Sequence, residues 1–219
     1  MKENTDNADI EKEVLPRGLY CLTAEKYSRG RNNIEVVKQM IASGVKIIQY
    51  REKKKSMLEK YRECRQIRKL TAEAEVTFIV NDHVDLALVC NADGVHLGQQ
   101  DLPPEEVRKL VGPEKIIGLS THSPEQARTA CEQPVDYIGV GPIFATSTKE
   151  DVCAPVGLDY LEFVVDRIAL PFVAIGGIKE HNIEQVCRRG AGCVALVIEI
   201  VGAADIAGKI NSLQQKMNG

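Results

Sequence analysis

Short apolar, β-branched runs alternate with longer amphipathic stretches along nearly the whole chain. The runs fall at Gly18–Thr23, Val45–Tyr50, Val76–Asn81, Gly94–Leu97, Ile116–Ser120, Tyr137–Val140, Phe172–Ile175 and Cys193–Val197. Each has the length and composition of a buried strand. Between them apolar residues recur at helical spacing, as in Ile34-Val37-Met40-Ile41 and Met57-Tyr61-Cys64-Ile67-Leu70. Ser123 before Pro-Glu-Gln-Ala and Asp101 before Leu-Pro-Pro-Glu are expected helix caps. Eight strands, each followed by a helical pattern, predict an α/β chain: a single (β/α)8 TIM barrel with parallel strands. An open doubly wound sheet is the alternative, but Gly18-Leu-Tyr-Cys-Leu-Thr23 lacks the glycine-rich turn that fold places after its first strand. Residues 1–16 are polar and read as an extension, flexible or a short helix; residues 17–219 form the barrel domain.

The barrel prediction gathers distant polar residues at one place, because catalytic groups sit at the C-terminal face of the strands. Gln49-Tyr50-Arg51-Glu52-Lys53 follows the second strand and Asn81-Asp82 the third. Gly98–Asp101 follows the fourth, Ser120-Thr121-His122 the fifth, and Gly141–Lys149 the sixth. Gly176-Gly177 follows the seventh and Val197-Ile198-Glu199 the eighth. Asp82 and Asp101 suit Mg²⁺, which takes few protein carboxylates and fills its octahedron with water or phosphate oxygens. Helix capping is the commoner use of such aspartates. Arg51 and Lys53 can neutralise a diphosphate, while the amides of Gln49 and Asn81 can address a heterocycle. Thr146, Ser147, Thr148 and Lys149 can meet a second phosphorylated substrate on a loop suited to act as a lid. Gly177, Val197 and Ile198 offer backbone N–H groups, the phosphate pocket that barrels build from their last loops. Glu199 would repel a phosphate, so its carboxylate is expected to turn away. His96, on a strand, reads as a satisfied barrel histidine; His83 and His181 read as surface or helix-start groups. His122 lies close enough to the mouth for proton transfer, though no nucleophile–base arrangement accompanies it.

Composition narrows the partners. With 44% apolar and 27% charged residues the 219-residue chain can bury one large core. A net charge of −3 and the absence of Trp argue against a nucleic-acid partner. No apolar run is long enough to span a membrane, and Met1–Asp9 has no signal-peptide core, so a cytoplasmic protein is expected. Seven scattered cysteines without a C-x-x-C pair read as reduced thiols packed as small hydrophobes. Small-molecule substrates are the expected partners, and a homo-oligomer is compatible with this composition.

Gln49-Tyr-Arg-Glu-Lys53, Asn81-Asp82, Asp93-Gly-Val-His-Leu-Gly-Gln-x-Asp101, Ser120-Thr-His122, Thr146-Ser-Thr-Lys149 and Gly176-Gly177 resemble, in order, the motif series of the thiamine phosphate synthase family. The resemblance is collinear from about Gly18 to Gly202. It implies Mg²⁺-dependent joining of 4-amino-2-methyl-5-hydroxymethylpyrimidine diphosphate to hydroxyethylthiazole phosphate, giving thiamine phosphate and diphosphate by a dissociative substitution. It further implies that Gln49, Tyr50, Arg51, Glu52, Lys53, Asn81, Ser120 and Lys149 hold the pyrimidine diphosphate, with Arg51, Lys53, Ser120 and Lys149 catalytic. Thr146, Ser147, Thr148, Gly177, Val197 and Ile198 would hold the thiazole phosphate, and Asp82 and Asp101 the metal. Two positions depart from the family pattern: Ile198 replaces a small hydroxyl residue, and Ala24 stands where Asp is usual. A thiazole tautomerase-like barrel is the nearest rival, yet it has no need of Asp82, Asp101, Arg51, Lys53 and Lys149. A non-catalytic paralogue that binds thiamine precursors would be expected to have lost the two aspartates.

Overall fold

The computed structural model describes residues 14–146 and 153–219. Strand β1 (Gly18–Leu22) is followed by a 3-10 turn at Glu25–Tyr27 and helix α1 (Asn33–Ala42). Then come β2 (Ile47–Tyr50), α2 (Met57–Glu73), β3 (Thr77–Asn81), α3 (Val84–Val89), β4 (Gly94–Leu97) and α4 (Pro104–Val111). The second half runs β5 (Ile116–Thr121), α5 (Pro124–Ala130), β6 (Tyr137–Val140), α6 (Gly157–Arg167), β7 (Phe172–Ile175) and α7 (Ile183–Arg188). Strand β8 (Cys193–Leu196) leads into the one-turn helix α8 (Ile198–Val201) and then α9 (Ile206–Asn218). Every strand pairs in parallel with its sequence neighbour, and β8 returns to β1 with Gly18 opposite Cys193 and Cys21 opposite Leu196. The sheet is a closed (β/α)8 barrel, as the alternation of runs predicts.

Successive side chains on a strand point to opposite faces, so each strand feeds two cores. Tyr20, Leu22, Ile47, Ile79, Tyr137, Val173, Cys193 and Ala195 fill the barrel interior. The alternate residues, among them Cys21, Ile48, Phe78, Val80, Val95, Ile138 and Val194, pack against the helices. This parity decides which polar residues reach the mouth. Gln49 shares the inward parity of Ile47, and Asn81 that of Ile79. Tyr50 shares the outward parity of Ile48.

The opposite end of the barrel is tied by two matching clamps. Asp93 Oδ2 accepts from the Phe78 N–H and from Arg68 Nη1, both at 2.8 Å. Asp136 Oδ2 accepts from the Ile117 N–H and from Arg108 Nη2, both at 2.6 Å. Charge-assisted bonds to the amide of the second residue of β3 and of β5 pin the starts of those strands.

Several expectations need adjustment. Val14 and Leu15 pack against the interior cluster, so the barrel core starts before residue 17. The remainder of the expected extension, residues 1–13, lies outside the described residues. Ser123 caps α5 through the Gln126 N–H as expected, whereas the N-cap of α4 is Pro103 and Asp101 caps nothing there. The seven cysteines are free thiols, and Cys21, Cys64, Cys90 and Cys193 are buried. No described helix is long and apolar enough to cross a membrane.

Interior volume is limiting, and glycine supplies it. A Cβ at Gly118 would stand 2.2 Å from Tyr137 Cζ and 2.5 Å from His96 Nδ1. Gly118→Ala should therefore destabilise the fold by about 2–3 kcal/mol, the scale of overpacking a dense core. A urea midpoint lowered at unchanged slope would show this; an unshifted midpoint would mean that the interior has room that the contacts deny.

Candidate active site

The ends of the strands bring most of the expected residues to one mouth. At β3 the chain makes a three-residue turn, closed by the His83 N–H donating to the Asn81 carbonyl at 2.7 Å. Its central residue, Asp82, has φ 62°. A turn of this kind with positive φ at its centre is the rare, strained form, and a non-glycine residue held there costs roughly 1–3 kcal/mol. The strain turns the Asp82 carboxylate towards β2 and β4. There Lys53 Nζ donates to Asp82 Oδ2 at 2.7 Å, and the Asp101 carboxyl lies close enough to interact with that of Asp82. Asp101 is aimed by its own turn, its Oδ2 accepting from the Gly98 N–H at 2.6 Å.

The two carboxyls are driven apart electrostatically. Burial pushes both upwards; for Asp82 the Lys53 ammonium outweighs it and holds the carboxyl below its ordinary range. Asp101 has the buried environment and the Asp82 charge against it, and is raised. Two like charges this close, with Lys53 the one described cation bonded to them, are a site short of positive charge. No described third His, Cys, Asp or Glu joins them. The donor set therefore fits a hard divalent cation that keeps several ligand positions for water or phosphate oxygens.

The cationic loop after β2 is held from outside the mouth. The Arg51 N–H donates to Thr23 Oγ1 at 2.9 Å, leaving its guanidinium without a partner among the described residues. Glu52 accepts from the Glu25 N–H at 2.7 Å, and the Tyr50 hydroxyl donates to Glu63 at 2.7 Å. Both side chains are thus engaged by neighbouring elements of the scaffold. Tyr50 points into the outer core, and the Glu52 carboxylate anchors the loop after β1, where it would otherwise repel a diphosphate. Thr23 and Glu25, which no pattern of residues marks, buttress the loop that carries Arg51 and Lys53.

Inside the mouth, Gln49 is buried and donates to the Tyr20 hydroxyl at 2.9 Å. Ser120 Oγ lies 2.9 Å from His96 Nε2, and His96 Nδ1 lies 2.9 Å from the Tyr137 hydroxyl. His96 is thus the satisfied barrel histidine expected. His83 is the N-cap residue of α3, and its Nε2 faces Lys60 Nζ at 2.8 Å. His122 Nδ1 bonds the Gly141 carbonyl and so holds the root of the loop after β6.

That loop continues the sheet, with the Ile143 and Phe144 N–H groups donating to Ile175 and Gly176 carbonyls, both at 2.9 Å. Thr146 closes the described part, while Ser147, Thr148 and Lys149 lie outside the described residues. Gly177, at φ +66°, would bring a Cβ to 2.6 Å from the carbonyl oxygens of Phe144 and Ala145. Its glycine is required by this close approach of two loops, independently of any phosphate. Val197 and Ile198 form the start of α8, at the end of β8. Glu199 is turned away from the mouth, accepting from the Glu180 N–H at 3.3 Å and facing Lys209 at 3.6 Å.

A closed parallel barrel whose mouth holds a carboxylate pair, cations and glycine-rich late loops defines a class: barrel enzymes that act on phosphorylated small molecules. Residues 19–200 match the model of the family described as thiamine monophosphate synthase. The chain is 67% identical over 201 residues to the thiamine-phosphate synthase of Pelotomaculum thermopropionicum, covering 92% of each chain. It is 58% identical over 201 residues to that of Lawsonia intracellularis, covering 92% of this chain and 93% of the relative. The thiamine phosphate pyrophosphorylase structure from Pyrococcus furiosus superposes with a TM-score of 0.85 at 32% identity, over 94% of this chain and 97% of that one. The chain belongs to the thiamine monophosphate synthase family.

Lys53 is half exposed, so its pairing with Asp82 is screened by solvent and worth no more than about 1 kcal/mol. Asp82 is lowered in the folded state, so its stabilisation is present above the ordinary carboxylate range and is lost as pH falls through the lowered value. Lys53→Met should therefore cost most at neutral pH, and its deficit should shrink on acidification as Asp82 protonates. Thermal melts of both proteins from neutral to acidic pH measure this; a deficit that grows towards acid would refute the assigned direction.

Proposed function

We propose that this protein condenses the aminopyrimidine methyl diphosphate with hydroxyethylthiazole phosphate, releasing diphosphate and forming thiamine phosphate. The observation that carries the reading is the meeting of Asp82, Asp101 and Lys53 at the mouth of a barrel whose sequence belongs to this family. A binder that had dropped the chemistry would have no use for a strained turn that presents a carboxylate.

In this reading Arg51 and Lys53, with Lys149, hold the diphosphate and neutralise the charge that develops as its C–O bond breaks. Asp82 and Asp101 would hold Mg²⁺, which supplies further neutralisation of the leaving group. Gln49, Asn81 and Ser120 hold the pyrimidine ring so that its methylene carbon faces the thiazole nitrogen. Backbone N–H groups of Gly177, Val197 and Ile198, with Thr146, Ser147 and Thr148, seat the thiazole phosphate. Ile198 presents its amide as any residue would, and the Glu199 carboxylate is kept clear by Lys209 and the Glu180 N–H. The attacking nitrogen carries no proton, so no general base is needed there.

The direct test is incubation with both substrates and Mg²⁺, following diphosphate release and thiamine phosphate formation. Asp82→Asn or Asp101→Asn should lower kcat/KM by on the order of a hundredfold or more, the scale of losing a central electrostatic group. Full activity in EDTA, or unchanged kinetics in both variants, would overturn the metal assignment.

His122 serves the loop and not the reaction. His122→Gln should keep kcat/KM within about tenfold of the parent, the worth of one hydrogen bond. A loss near a thousandfold with the fold intact would instead assign His122 a proton-transfer role, and favour an isomerase-like chemistry.

A further inference from the structure

A continuous hydrogen-bonded chain crosses the barrel interior from β2 to β5. It runs Gln49 Nε2 to Tyr20 OH, Tyr20 OH to Tyr137 OH, Tyr137 OH to His96 Nδ1, and His96 Nε2 to Ser120 Oγ, each at 2.9 Å. Its ends are two groups assigned above to the pyrimidine, and its middle is three residues without an assigned role. Tyr20 and Tyr137 are fully buried, and their rings meet edge to face at 6.2 Å. The space for this layer is provided by Gly118 and Gly139, since a Cβ at Gly139 would stand 3.3 Å from His96 Cε1.

The direction of the chain follows from counting protons. Burial, first of all, pushes both phenols up, so each keeps its hydroxyl hydrogen. An amide nitrogen can only donate, so Tyr20 accepts from Gln49 and must pass its own hydrogen to Tyr137. Tyr137 then has one acceptor left, His96 Nδ1. A histidine that accepts at Nδ1 carries its hydrogen at Nε2 and donates to Ser120 Oγ. Ser120 is left with a hydroxyl hydrogen that nothing in the chain can accept, and Gln49 with a carbonyl oxygen that nothing in the chain supplies. Reversing any one link would leave a buried polar atom unpaired or set two hydrogens face to face.

We infer that Tyr20, Tyr137 and His96 are positioning residues that lock Gln49 Oε1 as an acceptor and Ser120 Oγ–H as a donor towards the mouth, and so select a heterocycle bearing an amino group beside an unprotonated ring nitrogen. The inference rests on the function proposed above. An aminopyrimidine offers the matching donor and acceptor. Its 4-oxo counterpart offers a carbonyl and a ring N–H, which inverts both partners. Rejection comes from the buried groups that would be left unpaired, which is stronger than the loss of a contact alone.

Two measurements on the whole protein test this. Nitrogen-15 histidine spectra should show His96 as the neutral tautomer with hydrogen on Nε2, and Tyr137→Phe should release that preference. Calorimetric Kd values for 4-amino- and 4-oxo-2-methyl-5-hydroxymethylpyrimidine should favour the amino compound by on the order of a hundredfold in the parent. That ratio should fall at least fivefold or so in Tyr137→Phe, and also in Tyr20→Phe, where the Gln49 amide is free to turn over. A purely structural role would lower the melting temperature and leave the ratio alone. His96 carrying its hydrogen on Nδ1, or folded hydroxyl variants that keep the parental ratio, would overturn the inference. Should Tyr137→Phe fail to fold, the parental spectrum and Tyr20→Phe decide it. A protein with the expected tautomer and ratio that forms no thiamine phosphate would instead refute the proposed function.

Discussion

Everything in this molecule depends on the pairing of the last strand with the first. Because β8 returns to β1 in parallel register, all eight strands present their C-terminal ends to the same side, and no edge remains to be covered. Closure also encloses a narrow interior that side chains must fill without voids or clashes. Two large phenols and an imidazole occupy one level of it, which is feasible only because Gly118 and Gly139 on the neighbouring strands have no side chains. Strand parity then divides the residues: those in step with Ile47 and Ile79 face the interior or its mouth, and those out of step face the helices. Polar chemistry and fold are therefore selected by the same two-residue period.

The mouth is stabilised from behind. Lys55 donates to Glu25 and Glu63, Asn33 Nδ2 donates to Glu63 at 2.9 Å, and the Asn33 N–H donates to Glu25 at 3.2 Å. The side chains of Lys55 and Glu63 are four-fifths covered, and their pairing raises the Lys55 ammonium despite burial. This cluster ties the loops after β1 and β2 to α1 and α2. It lies outside the mouth, yet it decides where Arg51 and Lys53 can stand. A loop carrying several cations would spread under its own repulsion; here one cation, Lys55, is folded back into carboxylates while Lys53 reaches Asp82 at the mouth. The separation explains why Tyr50 and Glu52, inside the same motif as Gln49 and Arg51, serve the scaffold.

Much of the fold was legible because strand and helix periods differ so clearly along the chain. Five of the expected strands needed no more than trimming or a one-residue extension, and β4, β6 and β7 matched at both ends. The site was legible to the extent that it sits at strand ends: Gln49, Asn81, Asp82, Asp101 and Ser120 all arrive at the mouth. What was missed follows one pattern. A tyrosine inside an apolar run reads as core, and Tyr20 and Tyr137 are core by burial; their hydroxyls become informative only when the inward parity is combined with glycine at Gly118 and Gly139. Asp101 looked like a helix cap because it precedes two prolines, but its carboxylate closes on the Gly98 amide and leaves the helix start to Pro103. Val14 and Leu15 sit in a polar stretch where two apolar residues carry no period, and only the closed barrel gives them an interior to cover.

The loop after β8 shows how a departure from a family pattern is absorbed. Ile198 removes a hydroxyl and Glu199 adds a negative charge where a phosphate is expected, and taken alone both oppose anion binding. Lys209 on α9 compensates the charge: it pairs with Glu180 and lies 3.6 Å from Glu199, while the Glu180 amide takes the remaining Glu199 contact. Ser212, one turn further along α9, donates to the second Glu180 oxygen at 2.6 Å. The acidic residues are thereby engaged with α9, and in the function proposed above the phosphate is met from this loop by backbone amides. Backbone amides carry no identity, so a pocket made from them tolerates Ile where a side-chain donor would not. If the phosphate sits on these amides, as proposed, the substitution costs one side-chain hydrogen bond, on the order of 1 kcal/mol.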